Sequence, residues 1–157
     1  MLRNNAAVDR TDRAIIDLLR RDGRLSNTEL ADRVGLTPSP CLRRVRHLEE
    51  TGVILGYHAR IAPAAIGRAF EVNVQIDLAV TDRTTVEQFE AALAGYDEVI
   101  EIRRMFGIPD YLVLVAVADQ AAYEEFLTQK LMNLPGLAKL ASHFTMKILK
   151  SAIPLAT

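Results

Sequence analysis

The sequence predicts an α+β chain, an N-terminal winged helix-turn-helix followed by a C-terminal ferredoxin-like βαββαβ domain. Three observations carry this expectation. Between Leu25 and Gly56 two short helical patterns meet at Gly35, and the second, opened by Pro38 and Pro40, carries Arg43, Arg44, Arg46 and His47. From Glu71 onward the period becomes two, with Val72, Val74, Ile76 and Leu78 alternating against Glu71, Asn73, Gln75 and Asp77, the pattern of a half-buried strand. Between them, Ile61-Ala62-Pro63-Ala64-Ala65-Ile66-Gly67 has no strong period. The domains are therefore expected at residues 1–61 and 62–157.

In the first half, Thr11 is expected to cap a helix whose apolar stripe is Ile15, Leu18 and Leu19 and whose stop is Gly23. Ser26 or Asn27 caps the second helix, with Leu30, Ala31 and Val34 inward, and Gly35 supplies the left-handed residue that turns the chain. Proline has no N–H, so Pro38 and Pro40 fit only a first helical turn, and Thr37 precedes them as N-cap. At 100° per residue Cys41, Leu42, Val45 and Leu48 share one side, while Ser39, Arg43, Arg46, His47 and Glu50 share the other. Val53–Ile61 then reads as a strand, the wing.

The arginine-bearing face suits a DNA groove, because guanidinium groups bridge guanine edges or grip phosphates. Such a face is also compatible with a solvated helix, and it is the compact turn before it that favours nucleic acid. Arg43 and Ser39 are the candidates for base edges. Thr37, Pro40, Arg44, Arg46 and His47 complete the proposed DNA-contacting set.

In the second half the strand from Val72 is followed by a helix over Arg83–Leu93 capped by Asp82 or Thr84, and by strands at Val99–Phe106 and Tyr111–Val117 joined through Gly107-Ile108-Pro109-Asp110. Asp119 caps another helix, with Tyr123, Phe126, Leu127 and Leu131 inward, ended by Pro135-Gly136. A last strand is read from Phe144, Met146 and Ile148 alternating with His143, Thr145 and Lys147. Both helices of a βαββαβ unit cover one sheet face, yet Tyr111–Val117 is apolar on both sides. A second copy packed sheet to sheet is the expected cover.

The 157 residues carry a net charge of −1, distributed unevenly: 11 arginines against 8 carboxylates through Arg60, and 8 basic against 12 acidic residues beyond it. Affinity for DNA follows the phosphates neutralised locally, so the balance does not exclude it. No signal-like apolar segment opens the chain, and the longest apolar run, Tyr111–Ala118, is too short to cross a bilayer. No membrane association and a cytoplasmic location are expected. The single cysteine, Cys41, allows no intrachain disulfide, and pairing it with His47 as nucleophile and base fails because six helical residues separate them by about 9 Å on different faces. No catalytic constellation, metal cluster or cofactor is indicated.

The run from Val8 to Ile61, with Asp12, Ser-Asn-Thr-Glu-Leu-Ala, Thr-Pro-Ser-Pro-Cys-Leu-Arg-Arg-Val and Leu48-Glu49 followed by Gly52, resembles the N-terminal domain of the Lrp/AsnC (feast/famine) transcription factors. The resemblance extends through Gly107 and Asp110-Tyr111. It implies double-stranded DNA and a small effector, an amino acid, as partners, and homodimers that assemble to octamers. It also implies an effector pocket between subunits around Gly107, Asp110 and Tyr111, with Ser142 and Thr145 as further polar lining. Ile108 and Pro109 stand where the family carries acidic or polar residues. An amino-acid sensor or assembly protein without DNA binding is the alternative, distinguished by an absence of salt-dependent duplex binding.

Overall fold

In a computed structural model, which describes residues 8–59, 61–147 and 149, the chain divides into two compact units that part between Arg60 and Ile61. The first unit holds α1 (Arg10–Arg21), α2 (Asn27–Val34) and α3 (Pro38–Glu50). Its core is Ile15, Leu30, Ala31, Cys41 and Leu48, with Leu18, Leu19, Leu25, Val34, Val45 and Ile54 packed around them. Ala31, fully buried, is small enough for close helix packing.

Local chemistry sets each helix. The cap of α1 is Asp9 rather than the expected Thr11: Asp9 accepts from the Asp12 N–H at 2.8 Å while Asp12 reaches back to the Asp9 N–H at 3.2 Å. Two carboxylates close that reciprocal box, satisfying two donors that a Thr11 cap leaves open. Ser26 and Glu29 form the same device on α2, and Gly35 at φ +71° ends it. Thr37 occupies the N-cap of α3 in extended conformation, but its side chain makes no capping bond. Leu42 is exposed rather than core.

The expected wing strand is absent from the described residues: 53–59 join no sheet. The Val53 and Ile54 N–H groups both donate to the Leu48 carbonyl, turning the chain back against α3, and among the described residues of this unit there is no second strand to build a ladder with.

The second unit is a four-stranded sheet with β1 (Phe70–Leu78), α4 (Arg83–Ala94), β2 (Val99–Arg104), β3 (Tyr111–Val117), α5 (Gln120–Gln129) and β4 (Leu137–Phe144). The strand order is β2-β3-β1-β4, with every neighbouring pair antiparallel. This is the ferredoxin-like arrangement. The final strand begins at Leu137, earlier than its expected place around Phe144–Ile148, and Ile148 lies outside the described residues. Leu131 sits in a 3₁₀ turn beyond α5 rather than in the helix.

The register resolves the two sides of β3. Val113 and Val115 pair with Val74 and Val72 and are buried with Phe89, Leu93, Tyr123 and Phe126 of the helices. Leu112 and Leu114 lie opposite Gln75 and Asn73 on the other face, half-buried.

Candidate nucleic-acid interface and effector loop

The outward side of α3 forms an open concavity of about 650 Å³ lined by Ser39, Leu42, Arg43, Arg46, His47 and Glu50, with Asp12 and Arg44 at its wall. Arg43, Arg46 and His47 are exposed, and among the described residues none of them is ion-paired. With no carboxylate in its first turn and no side-chain cap, the N-terminus of α3 keeps its positive end unopposed beside exposed Thr37 and Ser39; Pro40 is half-buried there.

Arg44 behaves differently. Its Nη1 donates to Asp9 Oδ2 at 2.6 Å and to Asp12 Oδ1 at 2.8 Å. The Asp9 carboxyl is held below its ordinary value, first by the Asp12 N–H and next by this guanidinium, and the Arg44 value is raised in return. Sequence reasoning placed Arg44 with the DNA contacts and missed Asp9, although the Asp-x-x-Asp spacing signalled a capping box. It offered Asn27 as an alternative cap of α2, but Ser26 is the cap, and the Asn27 Nδ2 instead donates to the Pro38 carbonyl at 2.8 Å and ties α2 to the start of α3. Cys41 is buried, which pushes its thiol up.

In the second unit the β2–β3 turn is closed by the Met105 N–H donating to the Asp110 carbonyl at 2.8 Å. Gly107 takes φ +124°, a conformation that suits glycine, and leaves open space where a side chain would stand. The Asp110 carboxylate accepts from the Leu78 N–H at 2.8 Å, and the Asp110 N–H donates to Asp77 at 3.3 Å, so the turn is tied to the end of β1. The Tyr111 side chain points into the core at 1% exposure: its ring lies 4.9 Å from that of Phe89 and its hydroxyl donates to Glu90 at 2.7 Å. Burial, then the Glu90 carboxylate, pushes the Tyr111 phenol up to about 12.

Ser142 shares a 2.6 Å hydroxyl contact with Tyr123 of α5, and Thr145 accepts from Asn73 at 3.0 Å. Tyr111 pairs with Ile76 near one end of β1, whereas the Thr145 N–H reaches the Glu71 carbonyl near the other. Five residues of strand separate those points, roughly 17 Å. Within one chain, Gly107, Asp110 and Tyr111 come together and Thr145 does not join them. Among the described residues no helix is long and apolar enough to cross a membrane, and no cluster of three or more His, Cys, Asp or Glu is poised for a metal.

Comparison with known proteins agrees with both halves. Residues 8–54 match the family described as winged helix-turn-helix DNA-binding, and residues 71–155 the Lrp/AsnC ligand binding domain. The leucine-responsive regulatory protein of Salmonella typhimurium is 40% identical over 145 residues, covering 92% of this chain and 88% of that protein. A transcriptional regulator from Neisseria meningitidis in complex with L-Met superposes with a TM-score of 0.87 at 31% identity, covering 94% and 96% of the two chains. An AsnC family regulator from Agrobacterium tumefaciens gives 0.85 at 34% identity, with the same coverage.

Proposed function

The chain belongs to the Lrp/AsnC family of transcriptional regulators, and we propose that it reads duplex DNA through the outward face of α3, Arg43 and Ser39 meeting base edges. It is a DNA-binding regulator with a domain for a small effector, an amino acid, and not an enzyme. The observation that carries the DNA assignment is the exposed set of Arg43, Arg46 and His47 on one helix face, none ion-paired among the described residues. Arg46, His47, Thr37 and the first turn at Pro40 would add phosphate contacts, and Arg43 reaches deepest because it lies almost opposite the buried stripe.

The functional division we adopt is 1–61 for DNA and 62–157 for effector and assembly, acting in the cytoplasm. The second unit is proposed to dimerise through the sheet face bearing Leu112, Leu114 and Ala116, giving two reading heads for a palindromic site. Phe106 and Ile108, fully exposed at the β2–β3 turn, are among the exposed apolar side chains and are proposed to serve further assembly of dimers to an octamer.

The effector, an amino acid, is proposed to bind at the Gly107–Asp110 turn, which offers backbone donors for its carboxylate. With the Asp110 carboxylate already accepting from Leu78, an ammonium group would meet its remaining acceptor capacity. The Tyr111 main chain borders the turn. Thr145 and Ser142, at the far end of β4, enter such a pocket only from a second copy.

Footprinting on DNA upstream of the protein's own gene tests the reading. Protection of paired half-sites one helical turn apart or a multiple of it is expected, and Arg43→Ala should cost about 1–3 kcal/mol on that site and less on random DNA. Equal losses on both would make Arg43 a phosphate contact, and unchanged affinity would remove α3 from the interface.

A further inference from the structure

We infer that Arg44 is not a DNA contact but a positioning residue, a clamp that fixes α3 against the start of α1 through the two carboxylates of the α1 capping box. The inference rests on the reading of α3 as the helix that meets DNA.

The four oxygens of those carboxylates are all accounted for. Asp9 Oδ1 accepts from the Asp12 N–H and Asp12 Oδ2 accepts from the Asp9 N–H, while Asp9 Oδ2 and Asp12 Oδ1 both receive Arg44 Nη1, at 2.6 and 2.8 Å. One nitrogen thus joins two oxygens whose own orientations are already fixed by backbone donors. These contacts span 35 and 32 residues of sequence. Asp12 is itself the one buried charged side chain among the described residues, so an unpartnered carboxylate there would be costly.

The charge count points the same way. Two carboxylates around one guanidinium leave the cluster one unit negative, a poor neighbour for phosphate. Arg43 precedes Arg44 in the chain, is exposed and has no such partner among the described residues. A helix seated through Cys41 and Leu48 and tied at its Arg44 position resists rolling about its axis, so the clamp contributes to where Arg43 and Ser39 point. Two adjacent arginines therefore divide the work, one facing DNA and the other α1.

Two measurements decide it. The first is a double-mutant cycle of Arg44→Ala and Asp12→Asn by urea unfolding, since asparagine keeps an acceptor for the Asp9 N–H. Non-additivity of about threefold or more in the unfolding equilibrium is expected, and additive effects would overturn the clamp.

The second is binding to random-sequence duplex and to a duplex selected in vitro by the wild-type chain. Arg46→Ala should lower the slope of log affinity against log salt by about 0.9 for each phosphate the variant no longer neutralises, whereas Arg44→Ala should leave it unchanged. Arg44→Ala should also reduce the preference for the selected duplex about tenfold, and Arg44→Lys should recover most of it. A slope lowered by Arg44→Ala as by Arg46→Ala, or a preference left intact, would overturn the positioning role. A wild-type chain that bound no duplex would defeat the DNA reading instead, and the unfolding cycle would still decide the clamp.

Discussion

Arg44 and Tyr111 show how a polar side chain singled out from the sequence acquires a different partner in the fold. Tyr111 follows the Gly-Ile-Pro-Asp turn and so looks like pocket lining, but period two from Val113 and Val115 already assigns it to the core face, where it meets Phe89 and Glu90. Its phenol has consequences for pH. A folded value raised from 10.0 to about 12 means the native state holds this proton more tightly than the unfolded chain, so the stabilisation is complete below pH 10 and lost as pH rises through 12. Alkaline titration followed by circular dichroism and tyrosinate absorbance should show the second unit losing stability over that window, and Tyr111→Phe should remove this part of the dependence. Asp9 has the opposite sign. Its lowered value means the capping box and clamp contribute fully above the usual carboxylate range and fade as pH falls through the folded value, so Asp9→Asn should flatten the acid limb of unfolding. A limb of unchanged steepness would separate Asp9 from acid stability.

Elements with regular periods were legible; of the two strands interrupted by bulges, β2 was still read in its place from Val99, and β4 was not. The helices α2 and α3 and the strands β1 and β3 follow unbroken patterns. β2 turns half-buried Val99 and Ile102 toward the core while leaving Ile100 and Glu101 outward, a spacing of three produced by the register shift between Val99 and Glu101. β4 leaves Ala138 and Lys139 both outward beside the shift at Asp77/Leu78, which hides its alternation and moved the expected strand toward Phe144. The capping boxes had sequence signals, but a wing needs a partner strand that no local pattern reveals. Glycines at helix and strand ends give a direct test of this scale. Gly35 at φ +71° has open space around it, so Gly35→Ala should cost only the left-handed strain, about 1–2 kcal/mol. At Gly136, φ +72°, an added Cβ would stand 2.6 Å from Thr85 Cγ2, so Gly136→Ala should cost more than Gly35→Ala when each unit's unfolding is followed. Equal costs would mean that the start of β4 yields easily to α4.

For the molecule as a whole, the two faces of one sheet make separable predictions. Val113→Asp buries a charge among Val74, Phe89 and their neighbours and should unfold the second unit. Leu114→Asp should leave circular dichroism intact while light scattering reports a shift from dimer to monomer, and a wild-type monomer at micromolar concentration would end the sheet-to-sheet proposal. Effector coupling is likewise reciprocal: an amino acid that changes operator affinity must bind differently by the same factor when DNA is present. Calorimetry with the twenty amino acids, with and without operator, should show this and lose it in Gly107→Val; binding that survives that substitution would place the pocket elsewhere. The strand order has one more consequence, in time. β1 pairs on one side with β4, so Val72 and Phe144 must meet across about 70 residues of chain, whereas α1, α2 and α3 close over short separations. During synthesis the helical unit can fold while Leu137–Phe144 is still to be made, and β1 waits with a bare hydrogen-bonding edge. A chain stopped before Leu137 should keep a folded DNA-reading unit joined to an adhesive sheet edge, and should precipitate through that edge rather than circulate as a free half-protein.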